Sequence, residues 1–308
     1  DLWRCTVQLN PKPESNFGKN GKYIYRFQLL QNGIPILFCF NDPFARESDF
    51  GTYSSFRFNQ PSSHTWTDSS FIVPHVDDLV VYELHVGEFN YTFSGIEKML
   101  TYFQELGVNV LELMPFTNVK ERAEWGYTPM GYYAPDERFG EPDQLKQLIN
   151  ECHNRGIAVI MDAVYSHCHP HFPYNLIYNV TGIENPMMGA FADDFLGIPG
   201  TDFTKEFTRE YFLNLNKYYI DKFHIDGFRY DYVPGIYDGN VGAGYANLAY
   251  ETYQFSTGIK RFDFNNSNFS RIIQCAEHLP DPKGILKGTY SNCCWQNQLM
   301  DKAVDTAI

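Results

Sequence analysis

Three acidic residues each close an otherwise apolar stretch: Asp162 in "IAVIMDAVYSH", Asp231 in "HIDGFRYDY" and Glu277 in "RIIQCAEHL", with Arg229 and His167 beside them. Side chains two apart on a strand share a face, so Arg229 and Asp231 point the same way. Taken alone, that pair reads equally as a structural ion pair at the rim of a sheet or as a catalytic carboxylate held by a guanidinium. Three converging carboxylates suit glycosidic chemistry, in which an ionised carboxylate attacks the sugar while a protonated one donates to the leaving oxygen. Arg229 would hold Asp231 in place as the nucleophile, and the apolar run before Glu277 would desolvate its carboxyl so that it keeps the proton of an acid/base. Asp162 by itself also reads as a cap. His167, His169 and His171 lack zinc-type spacing, so no metal is expected.

The elements that must position these groups begin at about residue 79. "LVVYELHV" reads as a strand. Ser94 is then the expected N-cap of a helix over "GIEKMLTYFQELG", with Ile96, Met99, Leu100, Phe103 and Leu106 inward and Gly107 at its end. "VNVLELMPF" is a second strand, "DQLKQLINECHNRG" a helix with Leu145, Leu148, Ile149 and Cys152 inward, and "IAVIMDAVYSH" a third strand. A helix over about 204–223 leads to a fourth strand at "FHIDGFRYD"; "RIIQCAEHL" is a fifth, and "SNCCWQNQLMDKAVD" holds a short sixth and the start of a helix.

Near-continuous apolar strands alternating with helices predict a parallel sheet covered on both faces, either doubly wound or closed into a barrel. The chemistry-bearing residues all fall at C-terminal strand ends, where barrels assemble their sites, and no Gly-rich phosphate loop follows the first strand. The expected class is therefore α/β, a (β/α)8 TIM-type barrel over 76–308, incomplete at its C-terminal side because six strands do not close a barrel of eight. Residues 1–75 read as short strands with a hairpin bend at Asn32-Gly33, part of a small β-sandwich module.

The composition excludes several classes. With 44% hydrophobic and 17% aromatic residues the chain is a folded globular protein. A net charge of -13 repels polyanions, so no nucleic acid is expected as partner, and no apolar run approaches the about 18 residues of a membrane span. Cys5, Cys39, Cys152, Cys168, Cys275, Cys293 and Cys294 are odd in number and read as buried free thiols, which leans towards a reducing, cytoplasmic setting. Against that stand sequons at Asn90, Asn179, Asn265 and Asn268. The chain begins at Asp1 without a Met, so its N-terminus reads as missing or processed.

"IAVIMDAVYSH", "IDGFRYD", "CAEHL" and "WGYTPMGYYAPDERFGEPDQLKQLINECHNRGI" together resemble the α-amylase superfamily, glycoside hydrolase family 13. The "YELHVG" strand is similar to its isoamylase, glycogen-branching and maltooligosyltrehalose trehalohydrolase members. The resemblance spans about residues 42–300, and "NDPFARESDFG" resembles the latter part of the glucan-binding β-sandwich that often precedes the barrel there.

It implies a retaining hydrolase or transglycosylase acting on α-1,4/α-1,6-glucans such as glycogen, starch or maltooligosaccharides. It also implies Asp231 as nucleophile, Glu277 as acid/base and Arg229 as the group that positions Asp231. Asp162 and His167 would hold the sugar at the cleavage subsite and Tyr127 would stack on it, while Trp125 stands where many amylases have histidine. The short segment 168–203 favours the branching and isoamylase side.

Two departures stand out. Ser166 replaces the Asn that is often a calcium ligand in amylases, so no cofactor is expected. No His-Asp pair supplying the family's third carboxylate follows Glu277. The second departure implies part of a longer protein or a completing second chain, and it keeps alive the alternative of a non-catalytic glucan-binding protein or inactive barrel fragment.

Overall fold

The computed structural model describes residues 18–49, 53–120, 125–189, 197–236, 244–263 and 269–307. Cys5 and the sequons at Asn265 and Asn268 lie outside these residues.

Six strands form one parallel sheet: β1 (Val81–Leu84), β2 (Val110–Leu113), β3 (Ala158–Ala163), β4 (Gly227–Tyr230), β5 (Ile273–Ala276) and β6 (Cys293–Cys294), paired in that sequential order. Every residue of β2, β3, β4 and β5 is buried, as a sheet covered on both faces requires. Parallel neighbours need crossovers, and helices supply them: α1 (Pro142–His153) between β2 and β3, α2 (Glu206–Lys222) between β3 and β4, α3 (Gly244–Ser256) between β4 and β5, and α4 (Pro282–Gly288) between β5 and β6, with α5 (Asn297–Ala307) following. This is the curled parallel sheet of a (β/α)8-type barrel, with six of the eight strands among the described residues.

Alternation along each strand sorts side chains between the barrel interior and the helix layer. Gly227 and Arg229 face inward, while Phe228 and Tyr230 face the helices. There Asn216 of α2 donates to the Tyr230 hydroxyl and to Thr252 of α3, and Tyr230 donates to Gln274 of β5. The high aromatic content is spent chiefly on this layer: Tyr132, Tyr165, Tyr219, Tyr230, Tyr245, Phe203 and Phe212 are all fully buried. Gly227 is a close-approach glycine, since a Cβ there would meet the Ile273 carbonyl oxygen at 2.0 Å.

Below the strands, α1 is anchored by a relay. His153 bonds Asp68 through Nδ1 at 2.8 Å and Asp226, the residue before β4, through Nε2 at 2.7 Å. Asp226 also accepts from the Val159 amide and from Arg261.

Several expectations are corrected in detail. The first crossover is three short helices, Val86–Asn90, Phe93–Glu97 and Leu100–Glu105; the N-cap of the second is Thr92, whose hydroxyl accepts from the Gly95 amide, and Ser94 is inside the helix. Gly95 allows the tight entry, because a Cβ there would lie 2.0 Å from the Asn90 carbonyl oxygen. Ile96, Leu100 and Phe103 are buried, but Leu106 is 51% exposed because it falls in the fraying C-cap. Gly107 does end the segment, at φ 76.

The helices α3 and Pro173–Thr181 and the antiparallel pair Thr117–Val119/Pro129–Pro135 are additional to the sequence reading. Of the thiols, Cys152, Cys168 and Cys275 are buried, whereas Cys39 is exposed and Cys293 and Cys294 are half-buried.

Before the barrel, Gly21–Tyr25, Tyr53–Phe58 and Glu47–Asp49 form a three-stranded antiparallel sheet, and Phe27–Gln31 pairs with Ile34–Phe40. The second pair turns at Asn32 and Gly33, both at positive φ, as a primed two-residue turn demands. This layer rests on the barrel through Ser48 to Glu137, Tyr211 to the Pro43 carbonyl, and an Arg57–Glu141 ion pair. Among the described residues no helix is long and apolar enough to cross a membrane.

Candidate active site

The parallel register sets Asp162 beside Arg229, and Arg229 beside Cys275. Asp231 and Glu277 follow directly, each anchored by its own amide: Asp231 to the Ala163 carbonyl and Glu277 to the Tyr230 carbonyl. Four residues from three strand ends therefore converge without any long loop having to order itself.

Arg229 is the centre of the cluster. Its Nη1 donates to Asp162 Oδ1 at 2.9 Å and to Asp231 Oδ1 at 2.8 Å, and its Nη2 lies 3.2 Å from Glu277 Oε1. The guanidinium lies over the Trp295 ring at 4.3 Å, a desolvated cation–π contact. The surrounding carboxylates hold the guanidinium fully charged despite its burial.

Glu277 carries the proton-transfer character. Burial raises its pKa, and the neighbouring Asp231 raises it further; the Tyr232 amide and Arg229 oppose. The Tyr232 amide donates to Glu277 Oε2 at 2.8 Å.

Asp162 is wholly enclosed, bonded by Arg229 and by the Tyr127 hydroxyl at 2.8 Å. Burial moves its pKa up to about 7, Arg229 opposing and Asp231 reinforcing. His167 bonds the Tyr127 carbonyl through Nε2 at 2.7 Å and Ser166 Oγ through Nδ1 at 2.8 Å. Because a carbonyl only accepts, Nε2 carries the hydrogen and Nδ1 accepts from the serine. Burial lowers the His167 pKa, which suits that neutral form. Nε2 thus fixes the Tyr127 backbone while Ser166 holds the ring through Nδ1.

Tyr127, His167, Arg229, Asp231 and Glu277 line a cleft of about 830 Å³ that also includes Trp125, Tyr232, Trp295 and His85, with Asp162 enclosed behind Tyr127 and Arg229. Trp125 is 55% exposed and donates from its indole to Glu88 at 2.7 Å. The structure therefore brings Asp162, His167, Arg229, Asp231, Glu277, Tyr127 and Trp125 together at one end of the sheet.

Three contributors were missed in the sequence. Trp295 follows the short β6, and a tryptophan just past a strand end was a usable signal. Glu112 is a carboxylate in the middle of the apolar β2; its Oε1 has no partner, and burial pushes it up to about 8, helped by Asp162. Tyr232 earns its place through a backbone conformation that residue type does not announce.

Among the described residues two clusters have metal-ligand proximity, Asp68/His153/His224 and Glu83/Glu112/Asp162. The first lies at the opposite end of the strands, where its members already bond one another.

The alpha amylase catalytic-domain profile matches residues 56–178. A malto-oligosyltrehalose trehalohydrolase of Saccharolobus solfataricus is 34% identical over 65% of this chain and 35% of its own length. A 1,4-alpha-glucan branching enzyme of Picrophilus torridus is 30% identical over 78% of this chain and 36% of its own. Among solved structures, a pullulanase from Paenibacillus barengoltzii complexed with maltotetraose superposes with a TM-score of 0.65 at 20% identity, over 82% of this chain and 43% of that one, and shares the fold. The chain spans about a third of the length of these curated relatives. Sequence and fold agree that it belongs to the α-amylase superfamily, glycoside hydrolase family 13, on the side of its trehalohydrolase and branching members.

Proposed function

We propose that the site performs retaining chemistry on α-1,4/α-1,6-linked glucans, by hydrolysis or by transfer of a glycosyl-enzyme intermediate to another sugar. The observation that carries this is that the carboxyls of Asp231 and Glu277 are held by one guanidinium, Asp231 at 2.8 Å from Arg229 Nη1 and Glu277 at 3.2 Å from Nη2. Inversion needs a water between its carboxylates and a separation of about 6.5–9.5 Å, whereas retention uses about 5–5.5 Å or less. Two carboxyls gathered on one guanidinium support the closer arrangement, in which one carboxylate attacks the sugar itself.

Asp231, aimed by Arg229, attacks the anomeric carbon. Glu277, whose raised pKa favours the protonated form, donates to the leaving oxygen. The same group then deprotonates water or an acceptor hydroxyl, which displaces Asp231. Tyr127 faces the cleft beside them, held from behind by Asp162, and suits the sugar being cleaved, while exposed Trp125 suits its neighbour along the chain.

Incubating the full-length protein with glycogen and with maltoheptaose, then separating the products, tests this. New shorter or re-branched chains that disappear in Asp231→Asn support it. Binding without turnover replaces it with the glucan-binding reading.

A further inference from the structure

Tyr232 holds φ 44 and ψ 54, the left-handed region. Among the described non-glycine residues only Asn32, Asn59, Tyr91 and His224 share positive φ, and a bulky residue keeps such a conformation only where its surroundings impose it. The surroundings here are the acid/base. The Tyr232 amide donates to Glu277 Oε2 at 2.8 Å, and the next amide, Val233, donates to the Glu277 carbonyl at 3.1 Å.

The ring is placed as definitely as the amide. It borders the cleft, 38% exposed, and lies against Gly235, where a Cβ would meet Cδ1 at 2.8 Å and Cε1 at 3.0 Å. A glycine at 235 is thus what allows the ring to occupy that position.

We infer that Tyr232 both positions the acid and forms the adjacent subsite: its left-handed backbone aims an amide at Glu277, and its ring stacks the sugar on the leaving-group side. This rests on the α-glucan reading above, in which Glu277 faces the leaving oxygen, so a ring beside Glu277 meets the sugar that departs or accepts.

Steady-state kinetics of the full-length protein on maltoheptaose and on α-maltosyl fluoride, whose leaving group needs little protonation, separate the two roles. Tyr232→Gly adopts the backbone freely and lacks the ring, so KM for maltoheptaose rises about tenfold while the alkaline limb of the pH profile stays in place. Tyr232→Val resists the left-handed region, so kcat on maltoheptaose falls about fivefold or more beyond any fall on the fluoride. Its alkaline limb moves to higher pH, because a lost amide no longer favours ionised Glu277. Tyr232→Phe restores both. Gly235→Ala displaces the ring with the Tyr232 amide retained and raises KM as Tyr232→Gly does.

A Tyr232→Gly variant with unchanged KM, or a Tyr232→Val variant that slows both donors equally with an unmoved limb, overturns the inference and leaves a structural turn. A wild type inert on every α-glucoside overturns the glucan reading and this one together. An active wild type silenced by Asp231→Asn isolates any failure to Tyr232.

Discussion

Arg229 Nη1 lies 2.8 Å from Asp231 Oδ1, two residues along the same chain segment, and the same nitrogen holds Asp162 at 2.9 Å from the neighbouring strand. A single cation thus clamps carboxylates from two strands and touches Glu277 from a third. Such a group has no lysine substitute, because the planar fork serves several acceptors in fixed directions.

Asp231→Asn keeps the shape and the contact to Arg229 but removes the attacking charge. Turnover of maltooligosaccharides is expected to fall by at least about 10⁴-fold, with folding intact by circular dichroism. Residual turnover within about tenfold of wild type would remove Asp231 as nucleophile.

Glu277→Gln removes the proton donor. The loss on natural glucans is expected at about 10²–10⁴-fold, with a smaller loss on α-maltosyl fluoride. Since the folded-state pKa of Glu277 is raised, the active protonated form persists above the usual carboxylate range and is lost as pH rises through that raised value. The alkaline limb of kcat/KM in wild type therefore lies above an ordinary Glu and is absent on the fluoride.

Glu112 offers a stability test. Its folded pKa is about 8 against 4.5 for an exposed glutamate, so between those values the native state holds a proton that the unfolded state has released. Stability therefore falls as pH rises through that window, and above it the native state carries a buried charge. Glu112→Gln removes the penalty: its Tm relative to wild type is expected to climb by about 3 °C or more from pH 5 to pH 9. Parallel Tm–pH curves for the two proteins would refute this.

The His153 relay predicts the same sign of pH dependence from a different origin, a buried cation whose loss of charge weakens the fold. Burial opposes protonation of His153, but Asp226 and Asp68 outweigh it and raise its pKa, so its contribution is fully present below the unfolded value near 6.5 and is lost as pH rises through the folded one. His153→Gln removes the group that Asp68 and Asp226 share, although His224 and Arg261 remain beside them, and is expected to cost about 1–3 kcal/mol, with a larger loss of stability at pH 6 than at pH 9. Urea denaturation at both values measures it.

Much of the site was legible in the sequence because its residues sit at ends of strands whose apolar runs are unmistakable. Asp162, His167, Arg229, Asp231 and Glu277 could be placed at strand ends from period and chemistry alone, and resemblance added Tyr127 and Trp125. What local pattern could not show was contact. Nothing in "LELMPF" says that Glu112 has no partner, nothing in "SNCCWQNQ" says that Trp295 lies under Arg229, and a tyrosine is no signal for a left-handed backbone.

Helix α3 was hidden for a related reason: its stripe of Tyr245, Leu248, Ala249 and Thr252 is a mixed one that reads as apolar only when α2 and the sheet cover it. Residue type and spacing thus determined the strands, the α/β class and the carboxylates that face one end of the sheet. The pairing register of the strands decided which of them touch, and burial among them decided which keeps its proton.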